Sequence, residues 1–370
     1  MRKKIYFFAK VGDLNKIPYG GGELGNRRTM QMFKDLGYKV ILINRYYNYN
    51  KKCLLTYIKI ILGDFMSLVK LFLTLLCKTR NDSIVHISGF TGQYMPLEFS
   101  AVLISKLLGF KTTYEIRGGG IISNYKNGSL LYHIIFNLSI KYANLIFSQG
   151  LENKILIDAI STKKFFYYPN CVSSKFMPST CPPKPKDCIN LIYVGRIAPQ
   201  KNIDLIVKIL NELIIKGYNT KLDIIGDGED CHEYVNKVKQ YVTDHNLTEK
   251  CKFHGKMKKE EMIPYLLSAI FFLFPTKEKR EGQSNSLTET MSYGIIPIAS
   301  SQGYNRTIIN NSELIEDTFT VNSYVTKIIN IWTTNRVTLL STEMYNHILR
   351  NFTYDKVKES VRNIYNQFYE

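Results

Sequence analysis

The segment REGQSNSLTE, Arg280 to Glu289, sets two glutamates eight positions apart around a run of small polar residues. Upstream, VGRIAPQKN, Val194 to Asn202, follows an apolar run. Arg196 and Lys201 therefore leave the carboxyl end of a strand just as a helix begins, where phosphate is commonly held. IIGDGED, Ile224 to Asp230, puts Gly226 and Gly228 after the next strand, allowing a tight turn and a close backbone approach to a ligand. The backbone amides near Ser284, Asn285, Ser286 and Leu287 start a helix and carry positive partial charge. A diphosphate fits between those amides and the two cations, with Glu281 and Glu289 on either side accepting hydrogen bonds from hydroxyl groups.

Plainer readings exist for the same residues. Ser286 and Glu289 fit the S-x-x-E capping box, with Leu287 and Met291 apolar behind it and Gly294 placed to stop the helix; Glu281 is then a solvated loop charge. Arg196 and Lys201 are unremarkable as surface charges. Asp227, Glu229 and Asp230 could suggest a metal, but adjacent loop carboxylates are usually solvated, and no metal is expected. His86, His133, His232, His245, His254 and His347 stand singly, with no triad or metal-ligand spacing, and are read as structural.

These residues need a scaffold, and the chain supplies a repeating one. Short β-rich runs at 5–9, 38–44, 83–88, 111–116 and 144–149 alternate with longer helical patterns, which implies a parallel sheet wrapped by helices. The alternation stops at STCPPKPKD, Ser179 to Asp187, read as an interdomain linker, and resumes with strands at 190–195, 221–226, 252–255, 271–275 and 295–300. The expected class is α/β with two Rossmann-like domains, 1–180 and 188–350, whose strand ends face a central cleft. From Leu54 to Lys78 a long apolar stretch carries Lys59, Gly63, Ser67, Lys70, Thr74 and Lys78 at i+3/i+4 spacing. That single polar stripe marks an amphipathic helix rather than a membrane span: one packed on the core, or a basic helix that also touches a membrane surface.

The chain has 370 residues, enough for two cores. Its seven cysteines are odd in number and scattered, which points to a reducing, cytoplasmic compartment. MRKKIYFFAKVGD is read as a first strand rather than a leader. The formal net charge is +18, and it is lopsided: residues 1–180 hold 25 Lys and Arg against 9 Asp and Glu, while the rest holds 24 against 22. An anionic partner is implied for the first half, nucleic acid or the acidic lipid of a cytoplasmic membrane face.

The motifs together resemble the retaining "group 1" glycosyltransferases of the two-domain GT-B fold, also called glycosyltransferase family four. EGQSNSLTETMSYGIIPIAS is similar to the family's E-x7-E segment and G-x-P strand, VGRIAPQKN to its G-R-x-x-x-x-K site, and IIGDG to its strand and turn near the nucleotide. YGGGELGNRRTM, Tyr19 to Met30, resembles the glycine-rich loop, with Gly21 and Gly22 facing the donor diphosphate. YYPNCV, Tyr167 to Val172, resembles the chain before the crossover. Asn351 to Phe368 resembles the final helix, which in the family completes the first domain; the segment here is about 353–370. The EGQSNS wording is similar to enzymes that build capsule or O antigen.

The resemblance implies that Glu281 contacts donor-sugar hydroxyls and supports charge at the anomeric centre. Glu289 holds the ribose, and Arg196 and Lys201 stabilise the leaving diphosphate, with Gly195, Gly226 and Gly228 beside them. A nucleotide diphosphate sugar is the donor substrate, with no cofactor and no metal. The acceptor is a glycan or lipid-linked acceptor, the basic first domain meets an anionic membrane surface, and no nucleic acid is a partner. Where many members carry a histidine near the acceptor, EIRGGG offers Glu115, Arg117 and Gly118. SSQGYNRTIINNSELIED lacks the family's usual glycine pair and glutamate, which affects the donor-sugar end. The competing readings are a basic nucleic-acid-binding protein, which rests on charge alone, and a GT-B nucleotide-sugar epimerase.

Overall fold

A computed structural model describes the chain except for residues 1, 2, 17, 19, 47–53, 163 and 370. It divides into two compact units, Met1–Asn170 with Lys358–Glu370, and Cys171–Val357. The segment Ser179–Asp187 lies within the second.

The first unit runs β1 (Lys4–Ala9), α1 (Gly21–Asp35), β2 (Lys39–Asn44), α2 (Leu54–Leu76), β3 (Ser83–Gly89), α3 (Met95–Leu107), β4 (Lys111–Ile116), α4 (Ile121–Lys126), α5 (Leu130–Tyr142), β5 (Leu145–Ser148), α6 (Lys154–Ile160) and β6 (Lys164–Tyr167). Its six strands lie in the order β2-β1-β3-β4-β5-β6, and each neighbouring pair is parallel. Parallel strands are covered on both faces, so they read as continuous apolar runs; β3 is buried at every residue. Successive side chains still part to opposite faces. Tyr6 and Phe8 join a core with Leu71, Leu75, Ala101 and Phe136, while Phe7 meets Phe33 of α1 edge to face at 5.9 Å.

The orientation of α2 departs from the expected one. Lys59, Lys70 and Lys78 are exposed, but Gly63 and Ser67 from the same stripe turn inward. The Ser67 hydroxyl accepts from the Tyr46 amide at 3.0 Å and donates to the Gly63 carbonyl at 2.8 Å. At Gly63 a Cβ would overlap the Tyr46 ring. The helix thus docks by its small residues together with Leu71 and Leu75, and much of its apolar surface is left outside.

The second unit runs β7 (Ile189–Val194), α7 (Ile203–Ile215), β8 (Thr220–Ile225), α8 (His232–Asp244), β9 (Cys251–Gly255), α9 (Lys259–Ser268), β10 (Phe271–Phe274), α10 (Asn285–Met291), β11 (Ile296–Ala299), α11 (Asn305–Ile309), α12 (Val321–Thr333) and α13 (Val337–Asn351). Its parallel sheet has the order β11-β10-β7-β8-β9. The last helix, α14 (Tyr354–Tyr369), has its residues from Lys358 onward in the first unit. There Val361 and Tyr365 are fully buried.

The proline-rich segment Ser179–Asp187 is tied down on the second unit. Pro178 accepts a 2.8 Å hydrogen bond from the Tyr345 hydroxyl, and the Lys184 ammonium donates to the carbonyls of Ala269 at 2.8 Å and Tyr293 at 2.9 Å. Those carbonyls close the ends of α9 and α10, a favourable place for a cation. Burial nevertheless lowers the Lys184 pKa from the ordinary 10.5 to about 8. The unfolded chain then holds this proton where the folded one has released it, so stability rises with pH across that window. Urea unfolding of wild type at about pH 7.5 and about pH 9.5 should show a gain of about 1–2 kcal/mol over the same comparison in Lys184→Met. Parallel pH profiles for the two proteins would contradict the burial of this ammonium.

Candidate functional site

In the second sheet the chain moves outward from β7 to β8 and β9, then returns to the other side of β7 with β10 and β11. Where strand order reverses, the loops after β7 and β10 leave in opposite directions and open a crevice at the carboxyl ends of those strands. Both cations and both glutamates singled out in the sequence follow these strands or lie just beyond.

Two glycines bring the loops after β7 and β8 together. Gly195 has φ +151° and Gly226 φ +132°, and a Cβ on Gly226 would overlap the Gly195 carbonyl. The loops after β7 and β8 are held backbone to backbone: the Gly195 amide donates to Ile225 at 2.9 Å and the Ile197 amide to Asp227 at 2.6 Å. At Gly228 a Cβ would stand 2.6 Å from the Ile197 carbonyl, so this glycine too serves the packing of the two loops. Tyr193, fully buried, donates its hydroxyl to the Arg196 carbonyl at 2.8 Å. Burial raises its pKa well above the ordinary value, so the hydroxyl stays a donor. The Arg196 side chain is exposed.

Lys201 ends a 3-10 turn, Pro199–Lys201, and Asn202 takes the left-handed conformation at φ 60° before α7 begins. The chain beyond β10 anchors this turn, since the Lys277 amide donates to the Gln200 carbonyl at 2.7 Å. Lys201 forms an ion pair with Glu281, their side chains only 13% and 14% exposed, and its ammonium lies 5.4 Å from the Phe274 ring centre. Gly303, at φ +61°, lets the chain pass directly behind Glu281, where a Cβ would overlap the Glu281 carbonyl. The structure therefore brings Lys201 and Glu281 together at the switch point, with Arg196 on the adjoining loop.

The helix beyond Glu281 starts earlier than the capping-box reading had it. Ser284 is the N-cap, its hydroxyl accepting from the Leu287 amide at 3.4 Å, and Ser286 lies inside α10 with its hydroxyl 2.9 Å from that of Ser284. Glu289 is the fifth helical residue, too far along to reach back to the cap, and it pairs instead with Lys259 of α9. That pair lies beside a small pocket lined by Phe176, Met262, Leu266 and Tyr293. With seven residues α10 has a weak dipole, and the Leu287 amide is taken by the cap, so this helix start has little to offer an anion. Asp227 and Glu229 are bridged by Lys256 at 2.8 and 3.0 Å. Among the described residues no group of three or more His, Cys, Asp or Glu is placed to hold a metal ion.

In the first unit Gly21 and Gly22 are the first two residues of α1, behind the N-cap Gly20; Tyr19 lies outside the described residues. Gly22 is needed where it stands, because a Cβ would meet the Phe90 ring at 2.6 Å. Arg27 clamps the loop after β1 by donating to the carbonyls of Val11, Lys16 and Asp13 at 2.6–2.8 Å. Glu115 is fully buried, with one oxygen 2.6 Å from Arg117 and the other 2.9 Å from His86 Nε2. His86 Nδ1 lies 2.7 Å from the Tyr365 hydroxyl, and burial lowers the His86 pKa, so the ring is a neutral link in a closed network. Arg117 is also covered, its guanidinium against Gly25; of the three acceptor-side candidates only Gly118 keeps partial exposure. Tyr193, Gly303 and Lys259 escaped the sequence reading. Only Gly303 left a trace there, as the turn glycine of SSQG.

The two parallel α/β units are those of a GT-B fold. Sucrose-phosphate synthase from Thermosynechococcus elongatus matches with a TM-score of 0.75 at 16% identity, covering 100% of this chain and 99% of that one. Anabaena HepE, solved in complex with UDP, gives 0.71 at 12% identity over 98% and 100%. Residues 182–347 match the family described as Glycosyl transferases group 1. A curated relative, the phosphatidylinositol N-acetylglucosaminyltransferase gpi3 subunit of Schizosaccharomyces pombe, is 22% identical over 302 residues. That match takes in 77% of this chain and 63% of the relative's length.

The contact between glycines 195 and 226 is open to a direct test. Gly217 also has positive φ, at +86°, but faces open space. Gly217→Ala should cost about 1 kcal/mol from backbone strain alone, whereas Gly226→Ala adds a collision with backbone and should cost more than about 3 kcal/mol. Urea midpoints of the two variants measure the difference; equal costs would mean the loops are not in contact.

Proposed function

We propose that the protein moves a sugar from a nucleotide diphosphate sugar to a hydroxyl of a lipid-linked glycan, with retention at the anomeric carbon, in bacterial surface polysaccharide synthesis such as that of capsule or O antigen. The observation that carries this reading is the Lys201–Glu281 ion pair at the switch point of the second sheet, beside the exposed Arg196. A diphosphate entering there draws Lys201 toward itself and frees Glu281 to accept hydrogen bonds from the sugar. As the bond from anomeric carbon to phosphate oxygen breaks and the acceptor oxygen bonds that carbon from the same face, the diphosphate takes the electron pair and the acceptor hydroxyl's proton, and Arg196 and Lys201 meet the growing charge. Glu281 faces the opposite charge that develops on the sugar ring. Two preplaced cations supply what a metal ion would otherwise provide, which supports a metal-independent reaction. Glu289, one turn inside α10, holds the ribose in place of its Lys259 partner.

HepE's complex with UDP makes uridine diphosphate sugars the first donors to try. A relative named as a phosphatidylinositol N-acetylglucosaminyltransferase agrees with an acceptor carried on lipid. Such an acceptor and the basic first half support a location on the inner face of the cell membrane; no helix among the described residues is long and apolar enough to cross it.

Slow hydrolysis of a panel of nucleotide sugars, in buffer containing EDTA, tests the reading. One donor should be consumed by wild type, and Arg196→Ala and Lys201→Ala should each lower kcat/KM by about 30- to 1,000-fold, equivalent to about 2–4 kcal/mol in the transition state. Turnover within threefold of wild type in both variants would refute the phosphate assignment, and loss on chelation restored by Mg or Mn would refute metal independence.

The two glutamates should separate kinetically. Glu281→Gln should lower turnover more than donor binding, because support for charge at the anomeric carbon grows toward the transition state. Glu289→Gln should weaken donor binding about tenfold or more through loss of a charged acceptor, at unchanged melting temperature, since a partly exposed pair with Lys259 contributes little stability. Calorimetric donor titration beside steady-state rates reads both effects; normal binding and turnover in both variants would make the glutamates scaffold.

A further inference from the structure

The outward face of α2 is apolar from end to end. Ile61, Leu62, Phe65, Met66, Leu73 and Leu76 are exposed by between 49% for Leu76 and 68% for Ile61. At 100° per residue these side chains fall on one side of the helix, opposite Ser67, Leu71 and Leu75, which dock on the unit. Lys59 and Lys70 flank that stripe, and Lys78 follows the helix end, all three exposed. The only acidic residue of α2, Asp64, lies toward the docked side, partly buried, and burial raises its pKa. A water-facing helix ordinarily turns its polar side out; this one is held the other way round by Gly63 and Ser67 against Tyr46.

We propose that α2 is an interfacial anchor whose apolar face sinks into the surface of an anionic bilayer, with Lys59, Lys70 and Lys78 at the level of the lipid headgroups. This gives the membrane contact of the reading above a location and rests on that reading for the membrane, but needs nothing from its sugar chemistry. Charge decides the occupant. A second copy seated on the same face would bring two lysine-flanked stripes together with no outward carboxylate to offset them, whereas acidic headgroups complement the lysines and acyl chains accept the apolar stripe. The helix does not qualify as a span, so it lies along the surface.

The test is co-sedimentation of the full chain with vesicles of phosphatidylcholine alone and of phosphatidylcholine with about one third phosphatidylglycerol. Wild type should bind the anionic vesicles, and Leu62→Glu with Phe65→Glu should bind them at least tenfold more weakly, with melting temperature and donor hydrolysis unchanged because both side chains point outward. Leu73→Gln is the milder companion should the double variant fold poorly, and it should weaken binding several-fold. Phe65→Trp adds an indole to a chain with one native tryptophan, and its emission should shift blue when anionic vesicles are added. If wild type binds and the α2 variants bind equally well, the membrane reading survives and the anchor is elsewhere. If wild type binds no vesicle, both fall. A wild-type dimer in solution that becomes monomeric in Leu62→Glu with Phe65→Glu would assign the face to a second copy and overturn the proposal.

Discussion

Every paired strand in both sheets runs in the same direction, and that constraint governs where chemistry is possible. A parallel strand can follow its neighbour only through a crossover, so the helices are obligatory and the carboxyl ends of each sheet's strands gather along one edge. At that edge the backbone leaves the hydrogen-bonded ladder and its groups become available. In the second unit the reversal of strand order between β7 and β10 parts two loops there, and the glycine contact between residues 195 and 226 decides how near the cationic loop lies to its neighbour. Tyr193 supports the cationic loop from below through the Arg196 carbonyl, and Gly303 lets the chain pass close behind Glu281. A position several residues away in sequence thus controls where Lys201 and Glu281 meet.

Electrostatically the second unit keeps its candidate acids occupied. Glu281 has Lys201, Glu289 has Lys259, and Asp227 and Glu229 share Lys256. Each pair is a stored orientation: the carboxylate is already aimed, at modest cost in side-chain entropy, and a polar ligand replaces one partner instead of creating order from a disordered side chain. The first unit treats its charges differently. Glu115, Arg117 and His86 are sealed inside, where an ion pair and the hydrogen bonds of His86 offset part of the loss of water and fix the side chains in place, while Arg117 Nε has no hydrogen-bond partner among the described residues.

The strands of both sheets other than β6 could be read almost directly from sequence, because the central strands of a covered parallel sheet are mostly apolar; FFLF of β10 and LIYV of β7 leave little choice. The switch-point cations were legible for the same reason, since Arg196 and Lys201 follow a strand that declares itself. Shorter-range detail was not. Ser284 and Ser286 are chemically equal candidates for a cap, and only the backbone turn at Ser284, which is extended, separates them. Strand β6, KFFY, is only four residues long, with one residue exposed and three partly buried, too short a run to stand out. Periodicity placed Gly63 and Ser67 on the polar side of α2, but it measures the angle between polar and apolar faces, not which of them a neighbouring ring will accept. Nor does the sequence reveal that Glu115 is closed off, since strand alternation would turn it inward or outward with equal ease.

The first unit is completed by residues from the far end of the chain, with Tyr365 buried against His86 and Phe33. Its sheet and most of its helices are made by residue 170, yet the side chains that fill one face come only after the whole second unit has been synthesised. At roughly 5–20 residues per second, about 10–40 s separate the two events. For that interval Phe33 and His86 stand at the rim of an unfilled groove. The first unit is therefore late to mature although most of it precedes the second in sequence, and the second unit, continuous in sequence, is the one equipped to fold without waiting.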